Sequence, residues 1–166
     1  DKIDIIDASF CTTDPTALNF PIDKKIFYFP NPVDVSFDRL HNYKYENFNN
    51  DVFFAMSHGV HRGILKKGKF DDRENIINRL IKLTPDLKFD IYGMNGIQPI
   101  WADNFVNAIS QSKIGLNLSQ GKATKYYSSD RFSQLIGNGL LVMIDEKTKM
   151  NDFFNKNEIV LYKNIS

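Results

Sequence analysis

Cysteine is nearly missing from this chain: of 166 residues only Cys11 is one. No internal disulfide and no cysteine-built metal cage can form, and a reducing cytoplasm fits. A charge of one sign is missing too. Twenty-one Lys and Arg against 20 Asp and Glu leave a formal net charge of +1, so bulk charge steers the chain neither to nucleic acid nor to anionic lipid. No apolar run approaches the ~20 residues of a membrane span. The opening DKIDIIDASF has the form of neither a signal peptide nor a transit peptide. His41, His58 and His61 show no metal-ligand spacing with acids and read as surface or loop histidines. No Ser-His-Asp arrangement and no paired-carboxylate site stands out. No Gly-x-Gly-x-x-Gly follows a strand, which argues against a classical dinucleotide fold. There is no internal repeat and no low-complexity segment.

What remains is ordinary globular material, with 42% hydrophobic and 25% charged residues, enough for one domain with a real core. The chain begins without Met and stops at EIVLYKNIS, just after an apparent strand. It reads as a piece of a longer protein, cut at both ends.

Short β-like runs alternate with helix-like ones. Ile3 to Phe10 and Ile26 to Phe29 are aromatic or β-branched and end at turn residues. TTDPTALNFPID between them reads as a loop with at most one helical turn, and NPVD as a turn biased by Pro32. Residues 41 to 50 are polar and read as a connector or surface loop. Asp51 to Ser57 reads as a buried strand, HGVHRGILKKGKF as a glycine-punctuated basic loop. DDRENIINRLIKL is the clearest helix, with Asp71 and Glu74 spaced as in a capping box and Ile76, Ile77, Leu80 and Ile81 on one face. Leu87 to Gly93 is a strand. Asp103 is placed to cap a helix that buries Phe105, Val106 and Ile109. KIGLNLS is a strand, Asp130 to Ile136 a short helix, LLVMI a strand, MNDFF a short helix and EIVLY a last strand. This rhythm predicts an α/β, Rossmann-like parallel sheet with helices on both faces. Ligands bind such sheets at the carboxyl ends of the strands, so the loops after Met56, Tyr92, Leu118 and Ile144 should share one rim.

Two segments at that rim could carry chemistry. The loop SHGVHRGILKKGKF brings Gly59, Gly63 and Gly68 together with Arg62, Lys66, Lys67 and Lys69 ahead of a helix N-terminus, the usual place for phosphate. Either it binds phosphate or it is a solvated basic loop. Its near-match to a P-loop fails at Phe70, where a Mg²⁺-binding hydroxyl is required. The second segment is KYYSSDRFSQLIGNGLLVMID. Ser128, Ser129 and Asp130 suit helix capping. Arg131 does not, because a cation in the first turn opposes the helix dipole; it either pairs with an acid or binds an anion. Gly137 and Gly139 suit a tight turn from helix to strand. IYGMNG ends a strand at the same rim, with Gly93 either admitting a flat ring or only turning the chain. Trp101 near Pro99 reads as packing.

Several of these segments, in order from about Ile26 to Tyr162, resemble the C-terminal, donor-binding domain of glycosyltransferases with two facing Rossmann-like domains, the GT-B fold. KIFYFPNPVD is similar to the interdomain segment of that family, SHGVHRGILKKG to its phosphate loop, KFDIYGMNG to its strand ending in Gly and SKIGLNLS to the strand before the sugar site. SSDRFSQLIGNGLLVMID most resembles the spore-maturation-protein-like (CgeB-like) branch. The resemblance implies that residues 1–30 end an N-terminal domain or form an interdomain segment, and that residues 31–166 form the nucleotide-sugar-binding domain. It implies that Gly59, Arg62 and Lys67 hold the diphosphate, and that the backbone at Tyr92 and Gly93 meets the base. Tyr126, Tyr127, Ser129, Arg131 and Gln134 would line the ribose, phosphate and sugar end. Tyr126 and Gln134 stand where many retaining members carry glutamates.

The implied activity is sugar transfer from a nucleotide-diphosphate sugar to a glycan or lipid-linked acceptor, as in polysaccharide assembly, without metal or cofactor. The acceptor site would lie on a missing N-terminal domain, so the fragment would bind donor but transfer nothing alone. The expected location is cytoplasmic, with the inner membrane face reached through the missing part. Two other readings stand beside it: a non-catalytic nucleotide-binding or interaction module, and half of a GT-B-type sugar-nucleotide epimerase. A nucleic-acid role would rest on the Arg62 to Lys69 patch alone.

Overall fold

The computed structural model describes residues 5–21, 23–57, 64–65, 69–70 and 72–163. Two short strands, β1 (Ala8–Cys11) and β2 (Lys25–Tyr28), pair in parallel as a small separate sheet. β3 (Asn50–Ala55) follows, then an antiparallel hairpin of β4 (Ile64–Leu65) and β5 (Lys69–Phe70). Next come helix α1 (Arg73–Leu83), β6 (Phe89–Tyr92), α2 (Ala102–Ser110) and β7 (Ser112–Asn117). The chain continues through α3 (Asp130–Gly137), β8 (Leu141–Asp145) and β9 (Ile159–Tyr162). β6-β3-β7-β8-β9 form one sheet, parallel throughout. This is the expected α/β, Rossmann-like fold.

The central strand shows why the layers form. In β3 successive side chains point to opposite faces, and both faces are apolar. Val52, Phe54 and Met56 pack with Ile77, Ile76, Leu80 and Ile81 of α1. Phe53 and Ala55 pack with Phe105, Ala108 and Ile109 of α2 and with Phe132 and Leu135 of α3. One helix thus covers one face and two cover the other. Phe53, Phe54, Ile77 and Leu135 are fully buried, each contributing roughly 1.5–3 kcal/mol of transfer free energy. Gly115 of β7 lets α3 come close: a Cβ there would lie 2.8 Å from Leu135 Cδ1.

The end of α3 is a Schellman motif. The Gly139 N–H donates to the Ile136 carbonyl at 3.0 Å and the Leu140 N–H to the Leu135 carbonyl at 3.1 Å. Gly139 carries φ +83, a conformation that favours glycine. The close packing of α3 on the sheet comes from Gly115, however. Gly137 instead faces the 33–38 segment, where an added Cβ would meet Val33 Cγ1 at 2.6 Å.

Several local expectations are corrected. β1 occupies only the end of Ile3–Phe10. The basic loop carries the β4–β5 hairpin, too short to show a period. Asp71 lies outside the described residues, and α1 is preceded by Asp72 without a side-chain cap. Glu74 Oε1 accepts instead from the Asn95 N–H at 3.0 Å, tying α1 to the loop after β6. Asp103 stands inside the first turn of α2, after Trp101 at the cap, and Val106 is only half-buried. The polar stretch 41–50 is more than a surface loop. Asn42 is 3% exposed and its Nδ2 donates to the carbonyls of Ile109 (2.8 Å) and Ser112 (2.9 Å).

Candidate functional site

Counted along the chain, the five parallel strands stand in the order 2-1-3-4-5, so the winding reverses between β3 and β7. The carboxyl ends of strands at such a switch point are where open α/β sheets bind ligands. A cavity of about 610 Å³ opens there, over Ala55 and Met56 after β3 and over Asn117 and Leu118 at the end of β7. That volume suits a small-molecule site.

Its two walls differ. The first turn of α3 and the end of β7 supply polar groups: Ser129, Asp130, Arg131, Gln134, Ser119 and Gln120. The mouth of α2 supplies Ile100, Trp101, Ala102 and Phe105. Arg73, buried at the start of α1, adds a second guanidinium to the lining.

Arg131 stitches the switch point together. Its Nη1 donates to the Ala55 carbonyl at 2.6 Å, its Nε to Asn117 Oδ1 at 3.0 Å and its Nη2 to the Leu118 carbonyl. The guanidinium also lies 5.1 Å from the Phe54 ring centroid. Carbonyls and a ring face at the strand ends thus offset the unfavourable placement of a cation in the first turn of α3. Ser129 caps the same turn, its Oγ accepting from the Phe132 N–H at 3.2 Å and donating to Asn117 Oδ1 at 3.3 Å. Beneath them the Tyr162 hydroxyl donates to the Asn117 carbonyl at 3.3 Å. Burial, and then the Asp145 charge, push that phenol well up, so it stays a donor.

Asn31, from the segment that resembles the family's interdomain motif, braces this mouth. Its Nδ2 donates to Asp130 Oδ1 at 2.7 Å and to the Ser128 carbonyl at 3.1 Å, and its own carbonyl accepts from Ser133 Oγ at 2.8 Å. Asp130 is the one carboxylate lining the cavity among the described residues. Ser119 Oγ is buried there without a hydrogen-bond partner among the described residues. Those residues hold no group of three His, Cys, Asp or Glu that could bind a metal, and no helix long and apolar enough to cross a membrane.

Of the residues singled out from the sequence, Tyr127, Ser129, Arg131 and Gln134 meet at this cavity. Gly59, Arg62 and Lys67 lie outside the described residues. Tyr126 does not line the cavity. It has φ +60, donates from its hydroxyl to Asp152 Oδ2 at 2.7 Å and packs on Phe153 and Tyr28. Tyr92 packs half-buried on Phe53. Gly93 presses on the neighbouring strand, where a Cβ would stand 1.8 Å from the Met56 carbonyl oxygen. Trp101, read as packing, is 63% exposed.

Sequence reasoning passed over Asn117, Ser119, Asn31 and Arg73. Arg73 carried a usable signal, since it is a cation in a first helical turn, as Arg131 is. Asn117 and Asn31 carried none, because their partners are distant in sequence.

Residues 73–166 match the family described as glycosyl transferase-like, and the chain belongs to that family. The matched part holds all three helices, four strands of the sheet and both walls of the cavity. No curated protein and no solved structure matches the chain.

Proposed function

We propose that this chain is the donor-binding domain of a GT-B glycosyltransferase, in the CgeB-like branch, and that the cavity between β3 and β7 takes a nucleoside-diphosphate sugar. The observation that carries the reading is the polar wall at the switch point. A helix mouth, two guanidinium groups and a hydroxyl without a partner among the described residues converge on one cavity of a glycosyl transferase-like chain. Charge building on a leaving diphosphate is stabilised by such preorganised cations and N–H groups without metal. Asp130, held by Asn31, is the carboxylate placed to accept from a sugar hydroxyl, which Tyr126 is not. Gly59, Arg62 and Lys67 belong to the same reading as further diphosphate contacts.

In this reading residues 31–166 bind the donor, and residues 1–30 lead from a domain that holds a glycan or lipid-linked acceptor, as in cytoplasmic polysaccharide assembly. Transfer then needs that second domain. A nucleotide-binding module without transfer is the other reading. It is favoured by the cavity's having a single carboxylate, Asp130, among the described residues that line it.

A thermal-shift panel of UDP, GDP, CMP, ADP and TDP without metal tests the proposal. One diphosphate at about 100 times its Kd should stabilise the chain by about 2.7 kcal/mol. Gln134→Ala, at an exposed cavity position, should weaken that effect without lowering the unliganded midpoint. No stabilisation by any of the five, or an equal effect in the variant, overturns the placement. Hydrolysis-free binding with no transfer by the chain alone is the expected activity result.

A further inference from the structure

The binding reading leaves open which surface meets the flat part of the donor. The backbone after β6 is already used by the protein itself. The Tyr92 carbonyl accepts from the Met56 N–H at 3.0 Å, and the Gly93 N–H donates to the Ile97 carbonyl at 3.1 Å. On the side where a Cβ would stand, Gly93 abuts the Met56 carbonyl oxygen.

Trp101 offers an exposed aromatic ring at the cavity. It lines the cavity with 63% of its surface exposed, and its indole has no hydrogen bond or ring contact among the described residues. Its backbone is extended, at φ −146 and ψ 169. The next residue, Ala102, takes φ +49, a left-handed conformation that alanine adopts only at a cost. That turn leaves the indole at the mouth of α2 rather than in the core below it, where Phe105 is buried.

The neighbours of Trp101 choose the ligand's chemistry. A sugar ring needs hydrogen-bond partners around its whole edge, and Ile100, Ala102 and Phe105 supply none. The polar groups stand across the cavity on α3 and β7. A ligand fitting both walls is flat and aromatic at one end and rich in anionic or hydroxyl oxygen at the other. We infer that Trp101 is the platform on which the donor's nucleobase stacks, with the diphosphate and sugar turned toward Ser119 and Arg131. This inference rests on the nucleotide-sugar reading of the cavity.

Trp101 is the chain's single tryptophan, so its emission reports this position without a label. The full chain is titrated with UDP, GDP and ADP, and separately with inorganic pyrophosphate. Tryptophan emission and calorimetric affinity are followed in the wild type, Trp101→Ala and Trp101→Phe. A bound nucleotide should quench emission saturably, and pyrophosphate should not. Trp101→Ala should weaken the nucleotide about 10-fold, the scale of losing one base–aromatic stack, and leave pyrophosphate affinity unchanged; Trp101→Phe should restore most of the loss. Unchanged nucleotide affinity in Trp101→Ala, or an equal loss for pyrophosphate, overturns the platform while the donor site stands. If neither nucleotide nor pyrophosphate binds the wild type, the platform and the donor site fall together.

Discussion

Arg131 Nε and Asn117 Oδ1 meet at 3.0 Å where the winding of the sheet reverses. The same guanidinium reaches carbonyls at the ends of both β3 and β7. A side chain singled out as an anion ligand is thus also the clamp between the two strands that frame the cavity.

Arg131→Ala should therefore destabilise the fold by roughly 3–5 kcal/mol, because it leaves three acceptors without their charged donor. Arg131→Lys, with a single point of attachment, should recover only part of that. Denaturant midpoints decide it: an unchanged midpoint in the alanine variant excludes the clamp. Lost ligand binding in that variant would not by itself show direct contact, which is why Gln134 and Trp101 carry the binding tests.

Gly93 and Gly96 form a matched pair. Both have positive φ, +81 and +77, but only Gly93 has backbone where a Cβ would go. Gly96→Ala should cost about 1 kcal/mol of left-handed strain. Gly93→Ala should cost about 3 kcal/mol or more, since the Met56 backbone, whose N–H is bonded to the Tyr92 carbonyl of β6, must move to make room for the Cβ. Equal losses on chemical denaturation would refute the close approach.

Asp14 binds the β1–β2 sheet to the α3 approach. Its Oδ2 lies 2.6 Å from Lys125 Nζ, and its Oδ1 accepts from the Thr16 N–H and hydroxyl. The Lys125 hydrogen bond, and then the Thr16 N–H, hold the carboxyl down at about 2, below its ordinary 3.8. A depressed carboxyl stabilises the fold above its unfolded value and loses that contribution as pH falls through its folded one. The wild type should lose thermal stability between about pH 4 and pH 2. Asp14→Asn should start lower at neutral pH and show a flatter profile across that window. Parallel profiles for the two proteins would count against the ion pair.

Asn42 holds two buried carbonyls from the α2–β7 connection. Asn42→Ala should cost about 2–4 kcal/mol, the penalty for two buried acceptors left unpaired. Asn42→Asp should cost at least as much, because it replaces a donor with a charge beside those oxygens. Urea titration of both variants checks the order.

The fold was legible because periodicity is a local property. The apolar run Val52 to Met56, the stripe Ile76, Ile77, Leu80 and Ile81, and the Gly139 turn each announce their element within a few residues. Parallel order and two-sided cover follow from the alternation. The hairpin inside the basic loop and the buried role of Asn42 were not legible: two-residue strands have no period, and a polar residue does not reveal a distant carbonyl. Ser129 is one of three neighbouring residues that suit the cap of α3 and is the one that fills it, whereas Asp103 suits the same role and stands two positions past the cap of α2.

The sequence by itself determined the α/β class, the carboxyl-end rim and four side chains of the cavity: Tyr127, Ser129, Arg131 and Gln134. The class and the rim follow from local pattern and from the rule that crossovers in a twisted parallel sheet run one way; of the four side chains, Arg131 stands out as a cation in a first helical turn and Ser129 as a cap, while Tyr127 and Gln134 come through the family resemblance. Tertiary structure alone decided the rest. It placed Arg131 on Ala55, 76 residues away in sequence. It turned Tyr126 to Asp152, closed Gly93 against Met56 and left Trp101 in the open. Each depends on which strands become neighbours, and that is fixed by packing summed over the whole sheet.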